Sequence, residues 1–484
     1  MTDDPRRPVL VASNRGPVSF GFAGDGSLTA GRGGGGMVSG LTSGLAAVAG
    51  DSEVLWLCAA LSEADREAAR RGERAANGAG DPSVRMLDIP ADTFGAAYNG
   101  IANSVLWFLH HMLFDTPNQP RFGAEFRHDW DCYVAYNEAF AEALAEECAS
   151  GTRVLIQDYH LSLAPRLLRD RHPGARIAHF EHTPWAPAEY YRMLPDDVAA
   201  AILDGMLGAD HAGFLARRWA AAFLDCCEAV LGARVSRGGD GSGQVSYRGR
   251  TTEVAVHPLG VDGRELRARG READVAAHAG ALAEVAGGRQ LIVRIDRTEL
   301  SKNIVRGLAA YRELLISEPQ WLGRVVHLAF AYPSRSEIAE YRDYTARVYE
   351  LADEINSEFA TADWEPLILD VKDDYPRSLA GCLLADVLLV NPLRDGMNLV
   401  AEEGPILSER GCALVLSREA GAAALIGDEA LLINPYDVTA TAQALHAALS
   451  MPAAERRRRT AAIAAAASDR APRYWLAEQL DALR

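Results

Sequence analysis

The stretch DVLLVNPLRDGMNLVAEE (residues 386–403) reads as one complete strand-to-helix unit. Val387–Val390 form a short aliphatic run, the signature of a parallel strand buried on both faces. Asp395 then opens a polar loop, and Gly396 permits a tight backbone turn. Met397, Asn398 and Leu399 are expected to begin a helix whose free amides can hold a phosphate. Glu403 lies eight residues after Asp395, about two helical turns on, and is expected on a similar face. Carboxylates at both positions suit the hydroxyls of a sugar and a ribose. The plainer role for Asp395 is that of a helix cap.

The same unit recurs along the chain. Strand candidates fall at 8–13, 53–59, 153–159, 176–182, 211–215, 290–295, 324–330, 366–370, 386–391, 412–417 and 430–434. Between many of them, as at 130–149 and 336–360, apolar residues recur at helical spacing. This alternation predicts an α/β fold with parallel sheets. Eleven strands are many for one sheet, and Pro258 and Gly260 punctuate a polar segment at 257–275. Two doubly wound, Rossmann-like domains are therefore expected, 1–260 and 261–470. The amphipathic tail 471–484, with Trp475, is expected as a surface helix or as one that packs back on the first domain. Ligands of such sheets bind beyond the carboxyl ends of the strands, which places the expected active site in a cleft between the domains.

Composition narrows the function. The 484 residues carry 66 acidic and 49 basic side chains, a net charge of −17. Nucleic acid is disfavoured, because it needs a basic face that releases counterions. Seven scattered cysteines without a C-x-x-C pair argue against a disulfide framework or a zinc site. The N-terminal apolar run is too short for a secretory signal, and no uninterrupted apolar run is long enough to span a bilayer. A cytoplasmic protein acting on small molecules is expected, with a homo-oligomer allowed for and no membrane partner.

Further motifs sit at strand ends. GRGGGGMVSGL (31–41) places Gly33, Gly34, Gly35 and Gly36 before a small-residue helix, where amides can approach a phosphate closely. RTELSKN (297–303) puts Arg297 and Lys302 in a strand-to-helix turn suited to a diphosphate. Asp158 and His182 end two strands of the first half; His182 reads equally as a ligand contact and as a structural histidine. Arg15 and Arg335 each emerge at a strand end, where a phosphate monoester can be held bidentately. By pattern alone Tyr98 and Trp107 are core aromatics, and His110, His111, His160 and His179 are structural. Four contiguous glycines are not G-x-G-x-x-G, so a dinucleotide dehydrogenase is set aside.

Taken in order, SNR, the glycine loop, YNGIANSVLW, IQDYHL, FEHTPW, RTELSK, YPSR, PLRDGMNLVAEE and AGAAALIGDEALLINPYD resemble the trehalose-6-phosphate synthase family of retaining glycosyltransferases. The resemblance spans nearly the whole chain and implies a GT-B fold and transfer of glucose from a nucleotide-glucose to glucose 6-phosphate. It implies that Arg297, Lys302, the glycine loop and the backbone at Asn398 and Leu399 hold the donor diphosphate. Asp395 and His182 would hold the donor sugar, and Glu403 the ribose. Asp158, Tyr98, Trp107, Arg15 and Arg335 would surround the acceptor. No metal and no cofactor are implied. The chain departs from the family at Thr298-Glu299-Leu300, where Leu-Asp-Tyr is common, and at Glu402, where lysine is common. Arg294 offers a competing alignment, but Arg297 keeps the five-residue spacing to Lys302. The donor leans toward GDP-glucose over UDP-glucose. Rival readings are a pseudo-glycosyltransferase joining cyclitols and a non-catalytic sugar-phosphate sensor.

Overall fold

The structure, a computed structural model, describes residues 8–32, 36–48, 53–74 and 82–484. The chain divides into two compact units. One runs to Leu259 and takes in Pro472–Arg484, and the other is Gly260–Ala471.

In the first unit the strand Val9–Ser13 lies between Val54–Ala59 and Arg153–Gln157, parallel to both. Outward on one side comes Ser83–Leu87, and on the other Arg176–Glu181 and His211–Phe214. Numbered along the chain, these six strands take the order 3-2-1-4-5-6, the doubly wound arrangement. Its switch point, where strand order reverses, falls between Val9–Ser13 and Arg153–Gln157. Residues 13–15 and 158 leave the sheet there. A seventh parallel strand, Arg250–Val256, carries an antiparallel meander with Gly243–Tyr247 and Arg234–Arg237.

The second unit repeats the order with Gln290–Arg297 first, then Val325–Tyr332, Leu367–Val371, Val387–Val390, Ala413–Ser417 and Leu431–Ile433. All its pairings are parallel. Here the switch point lies between Gln290–Arg297 and Val387–Val390, so 298–303 and 391–399 leave the sheet side by side.

All eleven expected strands are present. Among the described residues six further strands are present: Val18–Phe22, Leu28–Arg32, Ser83–Leu87, Arg234–Arg237, Gly243–Tyr247 and Arg250–Val256. These lie at sheet margins or in hairpins, half facing solvent, so they lack the continuous apolar run of a central strand. The hairpin Val18–Phe22/Leu28–Arg32 is tied down by the buried Asp65. Its carboxylate accepts the Phe20 amide at 2.7 Å while closing a capping box with Ser62. The glycine loop follows this hairpin. Gly33, Gly34 and Gly35 lie outside the described residues, and Gly36 opens the helix Gly36–Val48. The helix Pro472–Asp481 packs on Gly36–Val48 so closely that a Cβ on Gly44 would stand 3.0 Å from Leu476 and from the Pro472 carbonyl.

All seven cysteines are free, and five of them are buried. No described helix is long and apolar enough to cross a membrane.

Candidate active site

The second unit stitches its two switch-point loops together through buried amides. The Asn303 side chain donates to the Asn391 carbonyl at 3.0 Å, and that of Asn391 donates to the Asn303 carbonyl at 3.1 Å. The Leu393 amide donates to the Ser301 carbonyl at 2.7 Å. Lys302, in a short 3-10 turn after the strand, is thereby set against the second loop, where its ammonium pairs with the Asp395 carboxylate. Asn398 donates its side-chain amide to the same Asp395 oxygen at 3.0 Å.

Arg297 closes its strand with 54% of its side chain exposed, whereas Arg294 is 1% exposed and clamped to the buried Asp296 at 2.7 Å. Two arginines three apart thus have opposite fates. The outward one can meet a ligand, and the inward one holds the strand. Arg335 stands 3.5 Å from the fully buried Glu299, and Arg297 lies 3.7 Å from it. Ser334 donates its hydroxyl to the same carboxylate at 2.8 Å. Burial alone would raise Glu299, but Arg335, Arg297 and Lys302 bring it down to about 2. Burial likewise opposes a charged Lys302, yet Asp395, Glu299 and Asp296 keep its pKa above the ordinary lysine value.

One expectation fails here. The helix begins at Val400 with Leu399 as its cap residue, and Asn398 has φ +78°. Asp395 therefore lies outside the helix and shares no helical face with Glu403, nor does its side chain cap the helix. It is held instead from across the chain. A β-bridge joins Asp395 to Ala420, the Gly421 amide donates to the Asp395 carbonyl at 3.1 Å, and that of Ala422 to the Met397 carbonyl at 2.9 Å. Glu403 is half-buried, and burial pushes its carboxyl up to about 7. Its neighbour Glu402 is fully buried with neither carboxylate oxygen hydrogen-bonded.

In the first unit, Asp158 follows its strand at φ +74°, ψ 164°, a region that a side chain tolerates only under tertiary constraint. The turn aims the carboxylate at two histidines. The His182 amide donates to Asp158 Oδ1 at 3.4 Å, and His160 Nδ1 lies 3.5 Å from Oδ2. Burial would raise Asp158, but the His160 and His182 rings hold it below the usual carboxylate range. His182 Nε2 sits 2.9 Å from Gln157 Oε1, and burial lowers its ring to about 4, so it is neutral at pH 7. A neutral imidazole can serve as donor or acceptor to a sugar hydroxyl.

The segment 96–106 is a π-helix that continues into the α-helix Trp107–His111, a form that sequence spacing does not reveal. It carries Tyr98, whose ring stacks on His160 with centroids 5.6 Å apart. Arg15, exposed at the end of Val9–Ser13, donates to the Tyr98 hydroxyl at 3.4 Å. Trp107 stacks on His111 at 3.9 Å and lies 5.9 Å from Tyr159, so it stands one ring away from this group.

The expected residues therefore gather into two clusters: Arg15, Tyr98, Asp158 and His182 in one unit, Arg297, Lys302, Arg335, Asp395 and Asn398 in the other. Trp107 stands beside the first through Tyr159, and Glu403 lies in the first turn of the helix that the second cluster's loop enters. His160, which the sequence pattern assigns a structural role, links Asp158 to Tyr98. Its place two residues after a strand-ending aspartate was the available signal. Gln157, buried against His182, and Glu299, buried against Arg297 and Arg335, join the site without a local sequence signal, because a residue's partners across the fold cannot be read locally. Among the described residues no group of three or more His, Cys, Asp and Glu is arranged to hold a metal ion.

The chain is 32% identical over 456 residues to an alpha,alpha-trehalose-phosphate synthase (UDP-forming) of Schizosaccharomyces pombe, covering 93% of this chain and 85% of that one. It is 33% identical over 463 residues to the bifunctional trehalose-6-phosphate synthase/phosphatase of Thermoproteus tenax, covering 94% of this chain. It spans only 55 to 60% of the length of two such curated relatives. Its structure matches, at a TM-score of 0.85 and 25% identity, that of an alpha,alpha-trehalose-phosphate synthase (UDP-forming) from Burkholderia xenovorans in complex with glucose-6-phosphate, covering 99% of this chain and 100% of the other. The fold is GT-B, built of two Rossmann-like domains. The family model for glycosyltransferase family 20 matches residues 9–484, and the chain belongs to that family.

Proposed function

We propose that this protein transfers glucose from a nucleotide-glucose to glucose 6-phosphate, forming α,α-trehalose 6-phosphate with retention at the anomeric carbon. The observation that carries the reading is the placement of Arg297 and Lys302 at the switch point of the second unit, with Lys302 against the Asp395–Asn398 loop.

Glycosyl transfer builds negative charge on the departing diphosphate and positive charge on the sugar ring. Arg297, Lys302 and the amides entering the helix at Val400 supply fixed positive charge for the first. Removal of one such preorganised group costs on the order of 10²–10³ in rate. The transfer proceeds without a metal or cofactor, these side chains doing the neutralising. Asp395 and His182 hold hydroxyls of the donor glucose, and Glu403 holds the ribose. Asp158, Tyr98 and Trp107 position the acceptor sugar, while Arg15 and Arg335 take its phosphate. Retention by double displacement would need a carboxylate nucleophile near the anomeric carbon. Attack by the acceptor hydroxyl on the face the diphosphate leaves, with a leaving-group oxygen taking the proton, needs none.

The relatives' names support UDP-glucose as donor, against the lean toward GDP-glucose taken from the family resemblance. The test incubates purified protein with glucose 6-phosphate and each of UDP-, GDP- and ADP-glucose. Nucleoside diphosphate release is followed, and the product's anomeric configuration is read by NMR. UDP release with an α,α-linked product is expected. Turnover of a cyclitol pair but not of glucose 6-phosphate would replace this reading with the pseudo-glycosyltransferase one. Binding of glucose 6-phosphate without any release would make the protein a sensor.

A further inference from the structure

The tail helix Pro472–Asp481 is reached only after the chain has passed through the whole second unit, yet it belongs to the first. Its buried face touches the candidate site directly. Trp475, 1% exposed, meets Phe180 edge-on with centroids 5.0 Å apart and the His182 ring at 5.7 Å. Phe180 is itself T-shaped against His182 at 4.9 Å. The imidazole is thus held by Gln157 at one nitrogen and by two aromatic rings on its flanks. One turn along the same helix, Glu478 lies 2.8 Å from His257 Nδ1, and His257 Nε2 lies 2.8 Å from His211 Nε2. The helix is therefore anchored at His257, which follows the strand Arg250–Val256, and through it at His211, the first residue of the neighbouring strand His211–Phe214. Its opposite contact is the helix Gly36–Val48, through Gly44.

A second feature separates this contact from ordinary packing. The Trp475 indole N–H is buried without a hydrogen-bond partner. An orphaned buried donor costs stability, and phenylalanine would fill much of the volume without it. The indole's breadth, which spans Phe180 and His182 together, is what a smaller ring lacks.

We propose that Trp475 is a positioning residue for His182, and that the Glu478–His257–His211 chain sets the depth at which it sits. This goes beyond the role proposed for His182 but rests on it. Steady-state kinetics and melting curves of the full chain test it with Trp475→Leu, Trp475→Phe, Glu478→Gln and His182→Ala. Trp475→Leu is expected to lower kcat about tenfold. Trp475→Phe and Glu478→Gln should lower it about threefold, each variant keeping its KM for glucose 6-phosphate within twofold. A purely structural role would instead reduce the folded fraction and leave kcat per folded molecule unchanged. That result in the Phe and Gln variants overturns the inference, even should the Leu variant fail to fold. Full activity in His182→Ala would overturn the role of His182 itself. A loss in His182→Ala without loss in the other three would overturn only the positioning.

Discussion

Gly421→Ala tests how tightly the Asp395 loop must be placed. Gly421 lies against the backbone of Gly396, so close that an added Cβ would stand 1.8 Å from the Gly396 carbonyl oxygen and 3.1 Å from Met397 Cα. Real Cβ atoms essentially never come within 3.0 Å of another heavy atom, so one segment must move by at least about 1.2 Å, the difference between 3.0 and 1.8 Å. The obstacle is main chain and cannot swing aside like a flexible side chain. The segments are also tied by the Gly421-to-Asp395 and Ala422-to-Met397 hydrogen bonds, so relief on either side displaces Asp395 or breaks its support. A misplacement of about 1 Å can cost about 10²-fold in rate, equivalent to about 2.7 kcal/mol of transition-state stabilisation. Overpacking costs about 1–3 kcal/mol of stability, or a few degrees in Tm for a unit of this size. Nucleoside diphosphate release is expected to fall about 100-fold in kcat/KM while circular dichroism retains the native spectrum. Gly280→Ala is the control. It lies within the helix Ala273–Ala286, and its added Cβ would meet nothing within 4 Å. It should gain about 0.5–1 kcal/mol of stability and keep its activity. A folded Gly421→Ala enzyme with wild-type kcat/KM would refute the claim that this loop's position matters.

Lys302→Ala, which removes the cation beside Asp395 and leaves it the Asn398 hydrogen bond, is expected to reduce kcat by about 10²–10³-fold without changing the fold, as rapid-quench and CD measurements would show. Arg335→Ala should act mainly on saturation by glucose 6-phosphate, raising its KM; an unchanged KM would remove Arg335 from the acceptor site. Glu403, raised to about 7 by burial, is protonated below that pH and ionised above it. The donor KM should therefore fall between pH 6 and 8, and Glu403→Gln should flatten that dependence in initial-rate assays. Glu402 is held well above the usual carboxylate range, by burial first and by Glu403 second. The folded state thus binds a proton that the unfolded state releases, and stability is lost as pH rises from the unfolded value through the folded one. Glu402→Met should consequently raise Tm more at pH 8 than at pH 5, which differential scanning calorimetry would report.

The fold was largely legible because its information is local and repeated. Short aliphatic runs such as Val387–Val390, bounded by turn residues, read as central strands, and their alternation with helical spacing leaves few arrangements other than doubly wound sheets. The residues ending those strands were legible for the same reason: Arg15, Asp158, His182, Arg297 and Asp395 follow apolar runs directly. The partners they take were not. Lys302 and Asp395 are 93 residues apart. Asp158 keeps its left-handed backbone only because the sheet and two histidines surround it. The π-helix at 96–106 has helical spacing like any other. The late start of the helix at Val400 follows from the bridge to Ala420, which removed the shared face expected for Asp395 and Glu403. Sequence periodicity determined which elements form and which residues leave them at their ends. Tertiary packing alone decided which of those residues meet, as Trp475 meets His182. The physical reason is that a side chain's neighbours across a sheet or between helices depend on how whole elements dock, and local patterning does not encode that.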